Sequence, residues 1–285
     1  MTYPPSSPRY LRLLSIAGSD SGGGAGIQAD LKTFSALGCY GMTALAALTA
    51  QNTRGVTAIH PVPPAFLKAQ LQAVLDDIGV DAVKIGMLHS PEMVEVVAWA
   101  IDHYQLQKVV LDPVMVATSG DRLMARETVQ VLVDQLFPRA TVVTPNLDEA
   151  ALLLGRSVED AAALEPAVAD LLALGAQAVL VKGGHLPGSA VVDVLGLADG
   201  TRQRWESVRI ATHNGHGTGC TLSSAIAVYL AQGQALPEAV GLARSYILGA
   251  IRGGAQVHTG HGQGPLNHGF APVAMQVLAG EIYKK

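Results

Sequence analysis

Short apolar runs alternate along most of the chain with longer stretches in which apolar positions recur every three or four residues. The first pattern predicts buried strands and the second amphipathic helices. Leu11 to Ala17 reads as a strand, Ile27 to Leu37 as a helix, and Tyr40 to Ala50 and Val56 to Val62 as two further strands. A helix from Pro64 to Asp77 leads to the strand Ala82 to Met87, and a helix from Pro91 to Tyr104 leads to the strand Lys108 to Leu111. Helix Arg126 to Leu136, strand Thr141 to Val143, further helical pattern and strand Ala178 to Val181 continue the rhythm. Such alternation predicts an α/β fold: a mostly parallel central sheet with helices on both faces, three layers in all. One segment breaks the pattern. Ala190 to Ile210 reads as two strands around Asp199-Gly200, a turn pair typical of hairpins. A helical pattern from Leu222 to Gln232 follows, and another runs through Ile251. With no repeat and no linker-like tract, the expectation is a single domain over residues 10–285. The Pro/Ser-rich residues 1–9 before it read as a disordered lead without the basic and apolar regions of a signal peptide.

In open parallel sheets, ligands sit beyond the carboxyl ends of the strands. Here those ends carry Gly18 to Gly26 (Gly-Ser-Asp-Ser-Gly-Gly-Gly-Ala-Gly), Gln51-Asn52, Gly86-Met87, Asp112-Pro113, Thr144-Pro145-Asn146 and Lys182-Gly183-Gly184. Nearly every strand therefore delivers residues useful to a polar ligand. The first loop contains a GxGxxA pattern, Gly24 to Ala29, which resembles a dinucleotide fingerprint. That reading needs an acidic residue about 20 positions on, and no Asp or Glu occurs from Leu31 to Leu75. The glycines are better explained by close approach to another small ligand.

Composition narrows the classes. Hydrophobic residues make up 49% of the 285 and charged residues only 15%, which suits a compact enzyme core. The net charge of −4 and the lack of a Lys/Arg cluster set nucleic acid aside as a partner. No apolar run reaches bilayer-spanning length, so no membrane partner is expected. Cys39 and Cys220 are far apart and outside any CxxC, arguing against disulfide or zinc scaffolds and for a reducing cytoplasm.

The most informative stretch is His216-Gly217-Thr218-Gly219-Cys220-Thr221, a glycine-opened turn set directly before a helix. Uncovered backbone amides at a helix N-terminus make an anion site. In the first helical turn, the same field is expected to favour the Cys220 thiolate. An anion cradle beside a polarised side chain points to phosphoryl transfer. No Walker or protein-kinase signature occurs, so the phosphate grip must combine Gly217, Thr218 and Gly219 with a detached lysine, for which Lys182 is the candidate. Asp112, ending an apolar strand, and Glu149, three residues after Asn146, are candidate magnesium ligands; Asn146 with Glu149 equally fits a helix cap. Gln51 offers a donor and an acceptor in one plane, matching an aminopyrimidine edge, and Met87 can pack on a flat ring. His213/His216 and His258/His261, in glycine-rich loops with no carboxylate nearby in sequence, favour structural or substrate contacts over metal.

Together these stretches resemble the hydroxymethylpyrimidine/phosphomethylpyrimidine kinases of thiamine biosynthesis, within the ribokinase-like fold. The matches are Ala17 to Asp20 with Gly23 to Phe34, Leu48 to Thr53, Lys84 to Leu88, Leu111 to Val116, Thr144 to Leu147, Lys182 to His185, the GTGC helix start and Gly264 to His268, spanning Leu11 to His268. The resemblance implies two successive transfers from MgATP, first to the hydroxymethyl group of 4-amino-5-hydroxymethyl-2-methylpyrimidine and then to its monophosphate. It implies that Gln51 reads the ring edge, with Asp30, Met87, Val114 and the Gly18 backbone lining the pocket. Lys182, Asp112, Asn146 and Glu149 would serve the ATP phosphates, with Asp112 and Glu149 at the Mg2+. The amides from Gly217 to Cys220 would hold developing charge, and Cys220 occupies the catalytic-base position. A homodimer is also implied. Two departures stand out: Thr118 replaces a common lysine, and Gly215 a common threonine. The alternatives are a pyridoxal/pyridoxine kinase on the same fold and a non-catalytic pyrimidine-binding module.

Overall fold

The computed structural model describes residues 7–115, 124–184, 186 and 188–279. Thr118 and His185, and most of the expected lead, therefore lie outside the described residues. The chain order is β1 (Arg9–Tyr10), β2 (Arg12–Gly18), α1 (Gly26–Ala36), β3 (Tyr40–Asn52), β4 (Gly55–Pro61), α2 (Pro64–Asp77), β5 (Ala82–Ile85) and α3 (Pro91–His103). Then come β6 (Val109–Leu111), α4 (Arg126–Leu136), β7 (Val142–Val143), α5 (Leu147–Leu154), α6 (Leu164–Ala173) and β8 (Ala178–Lys182). The hairpin β9 (Ala190–Leu197) and β10 (Arg202–Val208) precedes α7 (Thr218–Ala231), α8 (Leu236–Gly254) and β11 (Val277–Leu278).

Nine of these strands form one sheet in the order β10-β9-β8-β7-β6-β5-β2-β3-β4. The six strands from β8 to β3 run parallel, while β4 and the hairpin pair antiparallel at the two edges. The parallel strands are short, almost wholly buried apolar segments, as a sheet covered on both faces requires. One face buries Leu14, Ile16, Val83, Ile85 and Leu111 against α2, α3, α4 and α6; the other buries Leu13, Val110 and Leu180 against α1, α7 and α8. The three expected layers are all present.

Arg9, placed with the disordered lead by the sequence, instead opens β1, which pairs with β11 in a separate two-stranded ribbon. Its guanidinium holds Asp81 in two hydrogen bonds, at 2.7 and 2.8 Å. Strand order reverses at β2, whose neighbours are β3 on one side and β5 on the other. Such a switch leaves a crevice above the carboxyl ends of β2 and β5. Among the described residues, no helix is long and apolar enough to cross a membrane.

Candidate active site

A cleft of ≈ 740 Å³ opens over that switch point, and Gln51, Asp112, Lys182 and Cys220 all line it. Gly18, Met87, Val114, Asn146, Glu149 and Gly217 to Gly219 line it as well. Residues brought from six strand ends and one helix start thus share a single cavity.

Its anion end is built by α7. Gly217, the N-cap residue, adopts φ 86°, a left-handed conformation that favours glycine. Any Cβ there would overlap the Gly24 carbonyl, so the α7 start lies directly on the first glycine loop. No side chain caps this helix; the Thr218 amide donates to the Gly215 carbonyl at 3.3 Å, and the Gly219 and Cys220 amides are the ones left at the cleft. At Gly219 a Cβ would stand 3.1 Å from Lys182 Nζ and 3.6 Å from Asp112 Oδ2, so the missing side chain lets backbone and charges converge.

Lys182 Nζ donates to Asp112 Oδ1 at 2.7 Å, and Thr144 Oγ1 lies 3.1 Å from the same oxygen. Burial opposes both charges. The neighbouring Lys182 and Lys84 nevertheless hold the Asp112 carboxyl below its usual range, and Asp112 with Glu149 holds the Lys182 ammonium above its own. Asn146 and Glu149 form a capping box on α5: Asn146 Oδ1 accepts from the Glu149 amide at 2.9 Å, and Glu149 Oε2 from the Asn146 amide at 2.8 Å. The helix-cap expectation for these residues holds, and both of them line the cleft. Burial, offset in part by Lys182 and reinforced by Asp112, pushes the Glu149 carboxyl up to about 7.

The apolar end is made by Gly18, Met87 and Val114. A Cβ at Gly18 would come within 2.9 Å of Met87 Cε, so glycine here lets the methionine lie across the floor. Gln51, the penultimate residue of β3, sits beside a register shift, and its backbone N–H and C=O are both held by Ser21 Oγ, at 2.8 and 2.7 Å.

Three site expectations change. Asp30 does not line the pocket: it is fully buried beneath the floor, where its carboxylate accepts from Ser15 Oγ (2.5 Å), Ser224 Oγ (2.7 Å) and Lys84 Nζ (2.9 Å). Lys84 meets the cleft in its stead. The Cys220 thiol is not eased toward thiolate by its helix end. Burial pushes it up to about 11, outweighing the pull of Lys84, while Asp30 and Asp112 push in the same direction as burial. His216 does have a carboxylate partner, for its Nε2 lies 2.8 Å from Asp20 Oδ2. Among the described residues, no group of three His, Cys, Asp or Glu side chains gathers as a metal centre.

Sequence reasoning also missed three residues in the cleft wall. Lys84 interrupts an otherwise apolar strand, and that interruption was a usable signal. Asp193 and Arg244 form a buried pair at 2.7 Å, with Asp193 also accepting from the Gly183 amide at 2.9 Å. An aspartate inside the apolar hairpin strand was the only hint.

Against known proteins, the phosphomethylpyrimidine kinase family model matches residues 20–267. A hydroxymethylpyrimidine/phosphomethylpyrimidine kinase of Rhizobium meliloti is 51% identical over 90% of this chain and 96% of its own length. The thiamine biosynthesis bifunctional protein ThiED of Geobacter sulfurreducens is 53% identical over 90% of this chain, which spans about half, 52%, of that longer protein. An ADP complex of Bacillus subtilis pyridoxal kinase superposes with a TM-score of 0.80 at 42% identity, over 86% of this chain and 92% of that one. The fold is therefore ribokinase-like, and with the family model spanning most of its length the chain belongs to the phosphomethylpyrimidine kinase family.

Proposed function

We propose that this protein transfers the γ-phosphoryl group of ATP to 4-amino-5-hydroxymethyl-2-methylpyrimidine, and then a second one to the resulting monophosphate, supplying thiamine biosynthesis. The observation that carries this reading is the single cleft shared by Gln51, Lys182, Asp112 and Cys220. Gln51 meets the ring edge, and Met87, Val114 and the Gly18 backbone hold its faces. In the first transfer the hydroxymethyl oxygen attacks the γ-phosphorus and its proton passes to the Cys220 sulfur in its minor thiolate form, the thiol having first released its own proton to water; ADP leaves with the electrons of the broken P–O bond. The amides of Gly219 and Cys220 and the Lys182 ammonium stabilise the equatorial oxygens of the moving phosphoryl. In the second transfer the acceptor is an ionised phosphate oxygen, and no proton need be taken.

Asp112 and Glu149 suit Mg2+, which commonly binds through one or two carboxylates, substrate phosphates and retained waters. They would hold it beside the triphosphate, where it neutralises phosphate charge. Lys182, already paired with Asp112, would follow the γ-phosphate. A cytoplasmic homodimer completes the proposal. The edge strand β4, exposed from Thr57 to Pro61, together with the exposed Leu48, is the face we assign to the second copy.

Pyridoxal is the alternative substrate, favoured by the likeness to a pyridoxal kinase. A coupled ADP-release assay with the free pyrimidine, its monophosphate and pyridoxal, with and without Mg2+, decides between them. ADP release with both pyrimidines and little with pyridoxal supports the proposal; release with pyridoxal alone overturns it.

A further inference from the structure

The Gln51 amide is gripped by two neighbours whose hydrogen-bonding roles are already fixed. On one side, Asp20 accepts from the amides of Gly22 (2.8 Å), Gly24 (3.0 Å) and Ala25 (2.8 Å), and His216 Nε2 lies 2.8 Å from its Oδ2. Burial opposes that charge, but the His216 contact and these amides hold the Asp20 carboxyl below its usual range, so it is ionised and can only accept. His216 Nε2 must therefore carry a hydrogen, whether the ring is neutral or protonated. The imidazole lies directly against the Gly24 backbone, where a Cβ would stand 2.5 Å from His216 Cδ2.

On the other side, the single Thr49 hydroxyl hydrogen goes to the Ser19 carbonyl at 2.8 Å, which leaves only lone pairs to face Gln51. Gln51 Nε2 stands 3.4 Å from His216 Nε2, and Gln51 Oε1 stands 3.2 Å from Thr49 Oγ1. That arrangement sets a donor against a donor and an acceptor against an acceptor. A half-turn about the terminal bond exchanges the two ends without altering the outline of the side chain: Gln51 Nε2 then donates to Thr49 Oγ1, and Gln51 Oε1 faces the His216 N–H, whose one hydrogen goes chiefly to Asp20 and is shared with the amide oxygen.

We propose that the Asp20–His216 pair, with Thr49, is a specificity-determining device that locks the Gln51 amide with its oxygen toward His216 and its nitrogen toward Thr49. The outer edge of the amide then offers an acceptor and a donor in one fixed order. It takes a ring that presents an exocyclic amine on the His216 side and an unprotonated ring nitrogen on the Thr49 side. A pyrimidin-4-one, with a carbonyl and a ring N–H in those places, meets like with like and is refused. This rests on the assignment of Gln51 as the ring-edge reader.

The test measures kcat and KM for 4-amino-5-hydroxymethyl-2-methylpyrimidine and its 4-oxo analogue in wild type, His216→Met, His216→Gln, Thr49→Val and Gln51→Leu. An unpaired buried donor or acceptor typically costs enough for a tenfold effect or more. The amino-over-oxo preference in kcat/KM should fall roughly tenfold in His216→Met, through KM, with kcat for the amino substrate within about threefold of wild type. His216→Gln, whose Nε2 supplies a donor at similar reach, should restore most of the preference. Thr49→Val should lower it from the other side, and carries the same test if His216→Met does not fold. An unchanged preference in His216→Met or, failing that protein, in Thr49→Val overturns the proposal. So does a His216→Gln enzyme as unselective as His216→Met. Gln51→Leu separates the two assignments: no effect there refutes the ring-edge role itself, whereas a loss there with silent His216 and Thr49 variants refutes only the lock.

Discussion

Lys84 Nζ lies 2.9 Å from Asp30 Oδ2 with neither side chain exposed to solvent at all. The pair joins β5 to α1, and through Ser15 and Ser224 the same carboxylate reaches β2 and α7. Burial works against the Lys84 ammonium, but Asp30, Cys220 and Asp112 hold it above its ordinary range. Removing one partner strands a buried charge. Lys84→Met is expected to cost about 3–5 kcal/mol in urea unfolding, while Lys84→Met with Asp30→Asn recovers part of the loss. A double variant no more stable than Lys84→Met would show that the charge on Asp30 is not the cause.

Gly217→Ala tests the close approach of the two glycine loops. A left-handed alanine costs roughly 1–2 kcal/mol, and its Cβ must also displace the Gly24 carbonyl. The α7 amides would shift with it, so kcat should fall at least about tenfold, with a lowered Tm. Gly215→Ala is the control, because a Cβ there meets nothing within 4 Å. Equal losses in both variants would locate the effect in loop stiffness rather than in the contact with Gly24.

Much of this fold was legible for local reasons. Pro64 at the start of α2 and the periodic apolar stripe of α4 fix both helices with the bounds that the sequence predicts. Asp199-Gly200 marks the hairpin turn, with Gly200 at φ 93°. Strand ends are equally readable, because Asp112 and Lys182 each follow a wholly apolar run. What the sequence hid is pairing across distance. Asp20 finds His216 196 positions away, and Asp30 finds Lys84 54 positions away. No local spacing announces either. β1 and β11 are two-residue strands, too short to carry any period. For Cys220 the helix position was read correctly, but local sequence gives no measure of burial, which dominates its proton affinity.

His268 gives the structure an acid limit. Burial, with the nearby Lys32 charge, pulls its imidazole down to about 4 from an unfolded value near 6.5. Between those values the unfolded chain binds the proton and the folded one does not, so stability falls as pH drops from about 6.5 to about 4 and is unaffected above. The full shift corresponds to about 3 kcal/mol. His268→Gln should flatten this part of the curve relative to wild type, while losing some stability at pH 7 through the Thr221 contact at 2.9 Å. Parallel curves for the two proteins between pH 7 and 4 would rule this source out.

Cys220, finally, bears on why a thiol rather than a carboxylate stands at the base position. The first acceptor is an alcohol and must lose a proton; the second is a phosphate that arrives ionised. A fixed carboxylate about 4 Å from that phosphate would repel it by roughly 4 kcal/mol at an intermediate effective dielectric. A thiol pushed up to about 11 stays neutral at pH 7 unless its environment changes, so it adds no such repulsion. Cys220→Asp is therefore expected to retain a substantial part of the first transfer while slowing the second by a further factor of roughly 100 or more, a conservative fraction of that repulsion. Cys220→Ser, neutral but less acidic, should do the reverse: the first transfer falls and the second is largely kept. Single-turnover measurement of each step with the free pyrimidine and with its monophosphate reads both ratios. A Cys220→Asp enzyme that slows the two steps alike would mean that charge repulsion does not select the thiol.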